Sequence, residues 1–373
     1  MRIALFGGSF NPIHEAHIKI AQFAYRELKL DKLIFIPANK NPFKKNKKIE
    51  KNEHRINMIK LAISECEENF EISEFETKRG GVSYTFETIR YFKQKYPNDE
   101  LFFLAGTDTL STLHKWEFIE EICTLVQFVV FKRSNKFSKV NIKKFNLLVL
   151  NNPVYSHSST NIRQGNLSFL SDKVRKYIGE NYLYAFEIVH GILSHKRANH
   201  CVKCAEFAAK LAQSLNAKKG VTYINPKRAY IAGLFHDICK ELEEDESRKF
   251  IYQFDKDAFD KVKYPHYKLH QTAGAYWLKY IYQINDDEIV SAVKKHTSLD
   301  FELTTLDKII YVADKICDGR AYKGVQKLRA LALENFEEGF KAVVDLSIQY
   351  NLDKGVTFTE EQKQINLKWG TKI

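Results

Sequence analysis

The feature that most constrains this chain is a single change of patterning along its length. In the first half, short apolar runs alternate with amphipathic segments. RIALFGG (2–8) and KLIFIPA (32–38) read as buried strands, and strand-like runs return at 70–76, 101–105, 125–131 and 146–150. Helical spacing marks 15–29, 53–66 and 84–95 between them. Apolar strands with no polar face, separated by helices, predict a mostly parallel sheet covered on both sides. From about 185 onward strand signals fade and long helical patterns take over, at 198–215, 226–242, 268–282, 286–296 and 304–317. The expected architecture is α/β followed by all-α, with domains over 1–184 and 185–373, because a chain of this length exceeds the usual size of one core.

Composition narrows the class of partner. No run approaches the ~20 apolar residues of a membrane span. The opening MRIALFGGSF reads as a strand rather than a signal peptide, so a cytoplasmic location is expected. Six cysteines in such a chain read as buried thiols, and the lone Cys201–Cys204 pair lacks the second pair that a zinc site needs. The net charge of +12 suits anionic partners, but the excess is dispersed lysine with one cluster at Lys40, Lys44, Lys45, Lys47 and Lys48. That distribution reads as a solvated lysine-rich surface rather than a nucleic-acid footprint, no RNA-binding motif with stacking aromatics is present, and the oligomeric state is left open.

GGSFNPIHEAH follows the first strand, where open α/β sheets bind their ligands. Gly7 and Gly8 let backbone N–H groups approach a phosphate without a Cβ clash. His14 and His17 fall on one face of an opening helical turn, aimed at the same anion. Far along the chain, SSTNIR (158–163) offers Ser159 and Thr160 as N-cap residues and Arg163 on the following turn, a second anion cradle.

Together these elements resemble the nucleotidyltransferases with HxGH-type and (S/T)xxR-type motifs. PANKNPFKK (37–45), HRINM (54–58), TKRGGVSYTFET (77–88) and GTDTLSTLHKW (106–116) occur in order between them. That succession is similar to bacterial nicotinate mononucleotide adenylyltransferase over about residues 1–184, with Asn11 where Asp is commoner and Ala16 where Gly is usual. The resemblance implies a Rossmann-like domain in which the mononucleotide phosphate attacks the α-phosphate of ATP, with Mg²⁺ bridging phosphates. It assigns Gly7, Gly8, Ser9, Phe10, His14, His17, Lys44, Ser159, Thr160 and Arg163 to ATP, with His17, His14 and Arg163 catalytic. Thr85, Asp108 and Trp116 fall to the mononucleotide.

The second half carries His200, the His236–Asp237 pair, His270, His296 and Asp314, each beside apolar helical neighbours. Imidazoles plus a carboxylate able to bridge two cations suit a metal pair. RANHCVKCAEFAAKLA, AGLFHDICKEL, HQTAGAYWL, AVKKHTSLD and LDKIIYVADKICDGR resemble the HD-domain phosphohydrolases, in particular the branch cleaving diadenosine tetraphosphate to two ADP. Carried over by motif, His200, His236, Asp237 and Asp314 hold one metal and Asp237, His270 and His296 the second. Iron is the family's occupant, and manganese suits the same ligands. Lys240, Arg320 and Arg197 are the phosphate-holding candidates. Cys317-Asp318 replaces a common Glu-Pro, and Gln271-Thr272-Ala273 a common Gly-Pro-Val, which opens the substrate question. The expectation is a bifunctional enzyme; the alternative is an HD half that hydrolyses another nucleotide or only regulates the first.

Overall fold

A computed structural model of the chain describes residues 1–42, 49–220 and 224–371. It divides into two compact units, Met1–Tyr177 and Ile178–Ile373.

The first unit is built on six parallel strands: β1 (Arg2–Gly8), β2 (Lys32–Pro37), β3 (Phe70–Ile72), β4 (Glu100–Gly106), β5 (Gln127–Phe131) and β6 (Leu148–Val149). Their order across the sheet is β3-β2-β1-β4-β5-β6. The strands read as unbroken apolar runs because both faces are covered. Ile3 and Leu5 enter a core with Ile34, Phe103 and Phe128, packed against Ile89 and Phe92 of helix Thr85–Lys95. One residue on, Phe6 turns to the opposite face and meets Phe10 and Phe35 at ring distances of 5.6 and 5.5 Å. Strand order reverses between β1 and β4, which opens a crevice at their carboxyl ends.

The run at 70–76 is not one strand. β3 ends at Ile72, and Ser73 Oγ accepts the Phe75 N–H at 3.3 Å as the chain turns into helix Phe75–Arg79. That local side-chain bond competes with the sheet ladder, and it brings Glu76 into the interior.

The second unit is helical among its described residues. Helix His195–Lys219 packs on helix Pro226–Phe235, started by Asn225 and Pro226, and on helix Thr305–Ile316, started by a Thr304–Asp307 capping box. The close crossing depends on Gly233. A Cβ there would lie 2.8 Å from Ala205 Cα and 3.0 Å from its nitrogen, and backbone atoms cannot swing away. Gly233→Ala is therefore expected to cost about 1–3 kcal/mol through overpacking, read as a lowered unfolding midpoint; an unchanged midpoint would mean that the crossing has slack. The helical pattern over 226–242 stops at Phe235, and 236–241 form turns. The pattern over 268–282 is helix His266–Tyr276 continued by a π-helical turn, Trp277–Tyr282. Helices Ala185–Ile192, Glu244–Tyr252, Asp287–Lys295, Val325–Glu334, Phe336–Asp353 and Glu360–Trp369 also belong to the unit.

Candidate active sites

β1 delivers Gly7 and Gly8 to the crevice. At Gly8 a Cβ would sit 2.9 Å from the Phe10 ring, so the turn into helix Glu15–Glu27 needs glycine there. His14 stands at the head of that helix, and its N–H donates to His17 Nδ1 at 3.3 Å. With Nδ1 accepting, the His17 proton resides on Nε2 and makes that nitrogen a donor. The two imidazoles overlap with centroids 3.8 Å apart. His14 is buried, and neither of its ring nitrogens has a hydrogen-bond partner.

The distant SSTNIR segment docks on this loop. Ser159 Oγ donates to the Pro12 carbonyl at 2.9 Å, and Arg163 donates to the Asn11 carbonyl and to Thr160 Oγ1. The N-cap is Ser158, whose Oγ accepts the Asn161 N–H at 3.1 Å, so Ser159 and Thr160 are the first helical residues rather than caps. The cap falls one residue earlier because Ser159 is engaged with Pro12.

A cavity of about 460 Å³ joins these elements. Gly7, Gly8, Ser9, Phe10, His14, His17, Ser159, Thr160 and Arg163 line it, as do Thr85, Asp108 and Trp116. Lys44 lies outside the described residues. Trp116 sets its indole against the edges of Phe103 and Phe128. The lining also holds Lys132, Arg133 and His157, which sequence reasoning passed over. Arg133 follows β5, and the rule that ligands sit past strand ends was the signal that could have found it. It pairs with Asp108 at 2.8 Å. His157 stacks on Phe169 at 3.7 Å.

Burial, reinforced by Arg133 and His157, pushes His14 down to about 3. It stays neutral at pH 7, whereas an unfolded histidine takes up a proton near pH 6.5. Below that pH the unfolded chain binds the extra proton, so folding weakens on acidification by up to about 1.4 kcal/mol per pH unit. Between pH 6.5 and 5, the urea midpoint of ligand-free protein is expected to fall more than that of His14→Gln. Parallel pH profiles would refute it.

In the second unit the chain leaves helix Pro226–Phe235 on a tight turn, and that turn lets His236 and Asp237 face a common point. On a regular helix, consecutive side chains diverge. His236 Nδ1 bonds the Gly233 carbonyl and His296 Nδ1 the Val293 carbonyl, both at 2.7 Å. Both Nε2 atoms are thereby turned inward. His200 Nε2 lies 3.0 Å from Asp314 Oδ1, and His296 Nε2 3.4 Å from Asp237 Oδ1. His270 Nε2 is 3.2 Å from His296 Nε2 and 3.8 Å from Asp237 Oδ1.

The donors fit cations. His200, His236 and Asp314 form one group, and His236, Asp237 and His296 another, each with donor atoms within 4.8 Å. His236 Nε2 is buried without a hydrogen bond and lies 3.5 Å from both Asp237 Oδ2 and Asp314 Oδ1, a set of donor atoms that suits a cation. Burial pushes Asp314 up, but Lys315, His200 and His236 outweigh it and hold its carboxyl well below the usual range. Cys201 and Cys204 belong to neither group. Arg197 contacts Asp237 at 2.8 Å, Arg320 contacts Asp314 at 2.9 Å, and Lys240 lies 3.1 Å from His270. Sequence reasoning missed Lys315, which links Asp314 Oδ2 (2.9 Å) to the His296 carbonyl (3.0 Å).

Comparison with known proteins agrees with this division. Residues 5–165 match the cytidylyltransferase-like family, and residues 197–318 the HD domain family. A protein of Mycoplasma genitalium described as "Probable nicotinate-nucleotide adenylyltransferase/Ap4A hydrolase" is 32% identical over 95% of this chain and 99% of its own length. A Mycoplasma pneumoniae protein of the same description is 34% identical over 84% of this chain and 87% of its own. The chain belongs to this two-domain family. A nicotinate-nucleotide adenylyltransferase of Bacillus subtilis is 37% identical over 49% of this chain and 98% of its own. The HD match spans His200 to Asp314 and implies divalent-metal binding, for which the two His/Asp groups are possible sites. No helix among the described residues is long and apolar enough to cross a membrane.

Proposed function

We propose that the chain joins two nucleotide activities: adenylyl transfer from ATP to nicotinate mononucleotide, and hydrolysis of diadenosine tetraphosphate to two ADP. The observation carrying the first is the convergence of His14, His17 and the Ser159–Arg163 turn on one cavity at the carboxyl ends of β1 and β4. A mononucleotide phosphate oxygen attacks the α-phosphorus of ATP, the bond from that phosphorus to its bridging oxygen breaks, and pyrophosphate departs. No covalent enzyme intermediate is required, so the protein's work is positioning and charge neutralisation. The His17 Nε2–H meets charge developing on the transferred phosphate. His14 supports it, and Ser159, Thr160 and Arg163 hold the β and γ phosphates together with Lys44. Gly7 to Phe10 cradle the nucleotide, and Mg²⁺ arrives with ATP as part of the substrate. Trp116 stacks on the pyridine ring, with Thr85 and Asp108 on the same mononucleotide.

For the second activity, His200, His236, Asp237, His270, His296 and Asp314 would hold two transition ions, iron or manganese. Bound there, the pair supplies Lewis acidity and a nucleophile at neutral pH. Lys240, Arg320 and Arg197 take phosphate oxygens, exchanging contacts they now make with Asp237, Asp314 and His270. Water attacks one of the two central phosphorus atoms, the bond from that phosphorus to the oxygen joining it to the other central phosphorus breaks, and two ADP result with release of protons. The names of the Mycoplasma relatives support both assignments. Product analysis of the purified chain tests them, once with ATP plus nicotinate mononucleotide and once with diadenosine tetraphosphate and added metal. Failure to form the dinucleotide, or products other than two ADP, would overturn the respective half.

A further inference from the structure

The HRINM segment supplies nothing to the cavity lining, yet its arginine is fully buried. Arg55 Nη1 donates to the Ser9 carbonyl at 2.5 Å, and Nη2 to the Ala38 carbonyl at 2.6 Å and Asn52 Oδ1 at 2.5 Å. Its Nε donates to the Glu50 carbonyl at 3.2 Å. The chain of bonds continues outward. Asn52 Nδ2 donates to Asn39 Oδ1 at 2.6 Å, and Asn39 Nδ2 to the Gly81 carbonyl at 2.8 Å. The Asn39 N–H donates to Ser83 Oγ at 2.9 Å, and the Ser83 N–H returns to the Lys40 carbonyl at 2.9 Å. One end of this network is the loop after β1, on the ATP side. The other is the loop 81–84, which leads into the helix headed by the mononucleotide candidate Thr85.

We infer that Arg55 is a positioning residue that sets the ATP loop against the mononucleotide loop and so fixes the distance between the reacting phosphates. The inference rests on the adenylyl-transfer reading above. A planar guanidinium spreads five donors over separate acceptors, whereas a lysine ammonium concentrates three at one point and cannot span Ser9, Ala38, Glu50 and Asn52 together. Oriented reactants are sensitive to this, since a displacement of about 1 Å can cost roughly 100-fold in rate.

The test is steady-state kinetics of full-length Arg55→Lys and Asn52→Ala, with thermal unfolding as the control for folding and diadenosine tetraphosphate hydrolysis as the control for an intact second unit. Arg55→Lys is expected to lower kcat by about 10- to 100-fold and to raise KM for both substrates. Asn52→Ala cuts the network beyond Arg55, so it should raise KM for the mononucleotide and leave KM for ATP unchanged. A purely structural role would lower the folded fraction, scaling kcat with both KM values fixed, and that outcome overturns the inference. Should Arg55→Lys fail to fold, Asn52→Ala decides alone, and an unchanged mononucleotide KM refutes it. A wild-type chain that forms no dinucleotide defeats the underlying reading and this inference with it. Active wild type with unaltered variants defeats the inference only.

Discussion

In the His236→Ala chain, cleavage of diadenosine tetraphosphate is expected to fall by at least about 100-fold, while dinucleotide synthesis continues near the wild-type rate. His236 is the one histidine common to both candidate ligand groups. It is fully buried and its Nδ1 is tied to the Gly233 carbonyl, which fixes the direction of its Nε2. Outer partners of metal ligands are already worth about 10- to 100-fold, and a direct ligand should be worth more. Elemental analysis beside product chromatography checks this. Undiminished metal together with undiminished hydrolysis would remove His236 from the site. Loss of synthesis as well, in a folded protein, would favour the regulatory alternative for the helical unit.

His17→Ala makes the reciprocal case. Adenylyl transfer is expected to drop by about 10³-fold or more, mainly in kcat, because a donor aimed at developing charge acts in the transition state rather than in substrate binding. Hydrolysis by the same chain should be unaffected. The two residue sets lie in different compact units and share no member. Covalent linkage by itself supplies no coupling; that would require contacts which differ between two states. Measuring both activities of each variant decides the matter, and full transfer activity in His17→Ala would sink the proposed mechanism.

Much of this was legible along the chain because local physics dictates it. Runs such as 3–6 and 33–36 have no polar face, and only a doubly covered sheet accommodates that. A glycine pair after the first strand marks a close backbone approach, and the Phe10 ring against Gly8 supplies the reason. Element ends were less legible. The strand read over 70–76 gives way to a helix after Ser73 turns to bond Phe75, and the helix read over 226–242 stops at Phe235. Residue patterns record the average environment of a segment but not the single bond that terminates it.

The composition of the candidate sites was thus written in the sequence: which histidines, aspartates, glycines and hydroxyls stand beside strand ends and inside helices. Their convergence was not. Only the tertiary structure sets Ser159 on the Pro12 carbonyl, makes Ser158 the cap, brings Arg133 and His157 to the same cavity and buries Arg55 between two loops. Those contacts join residues many positions apart, and no periodicity of 2 or 3.6 encodes them. They arise when the strand order of the sheet carries the segments together, and a buried polar group must then find its partners in space rather than along the chain.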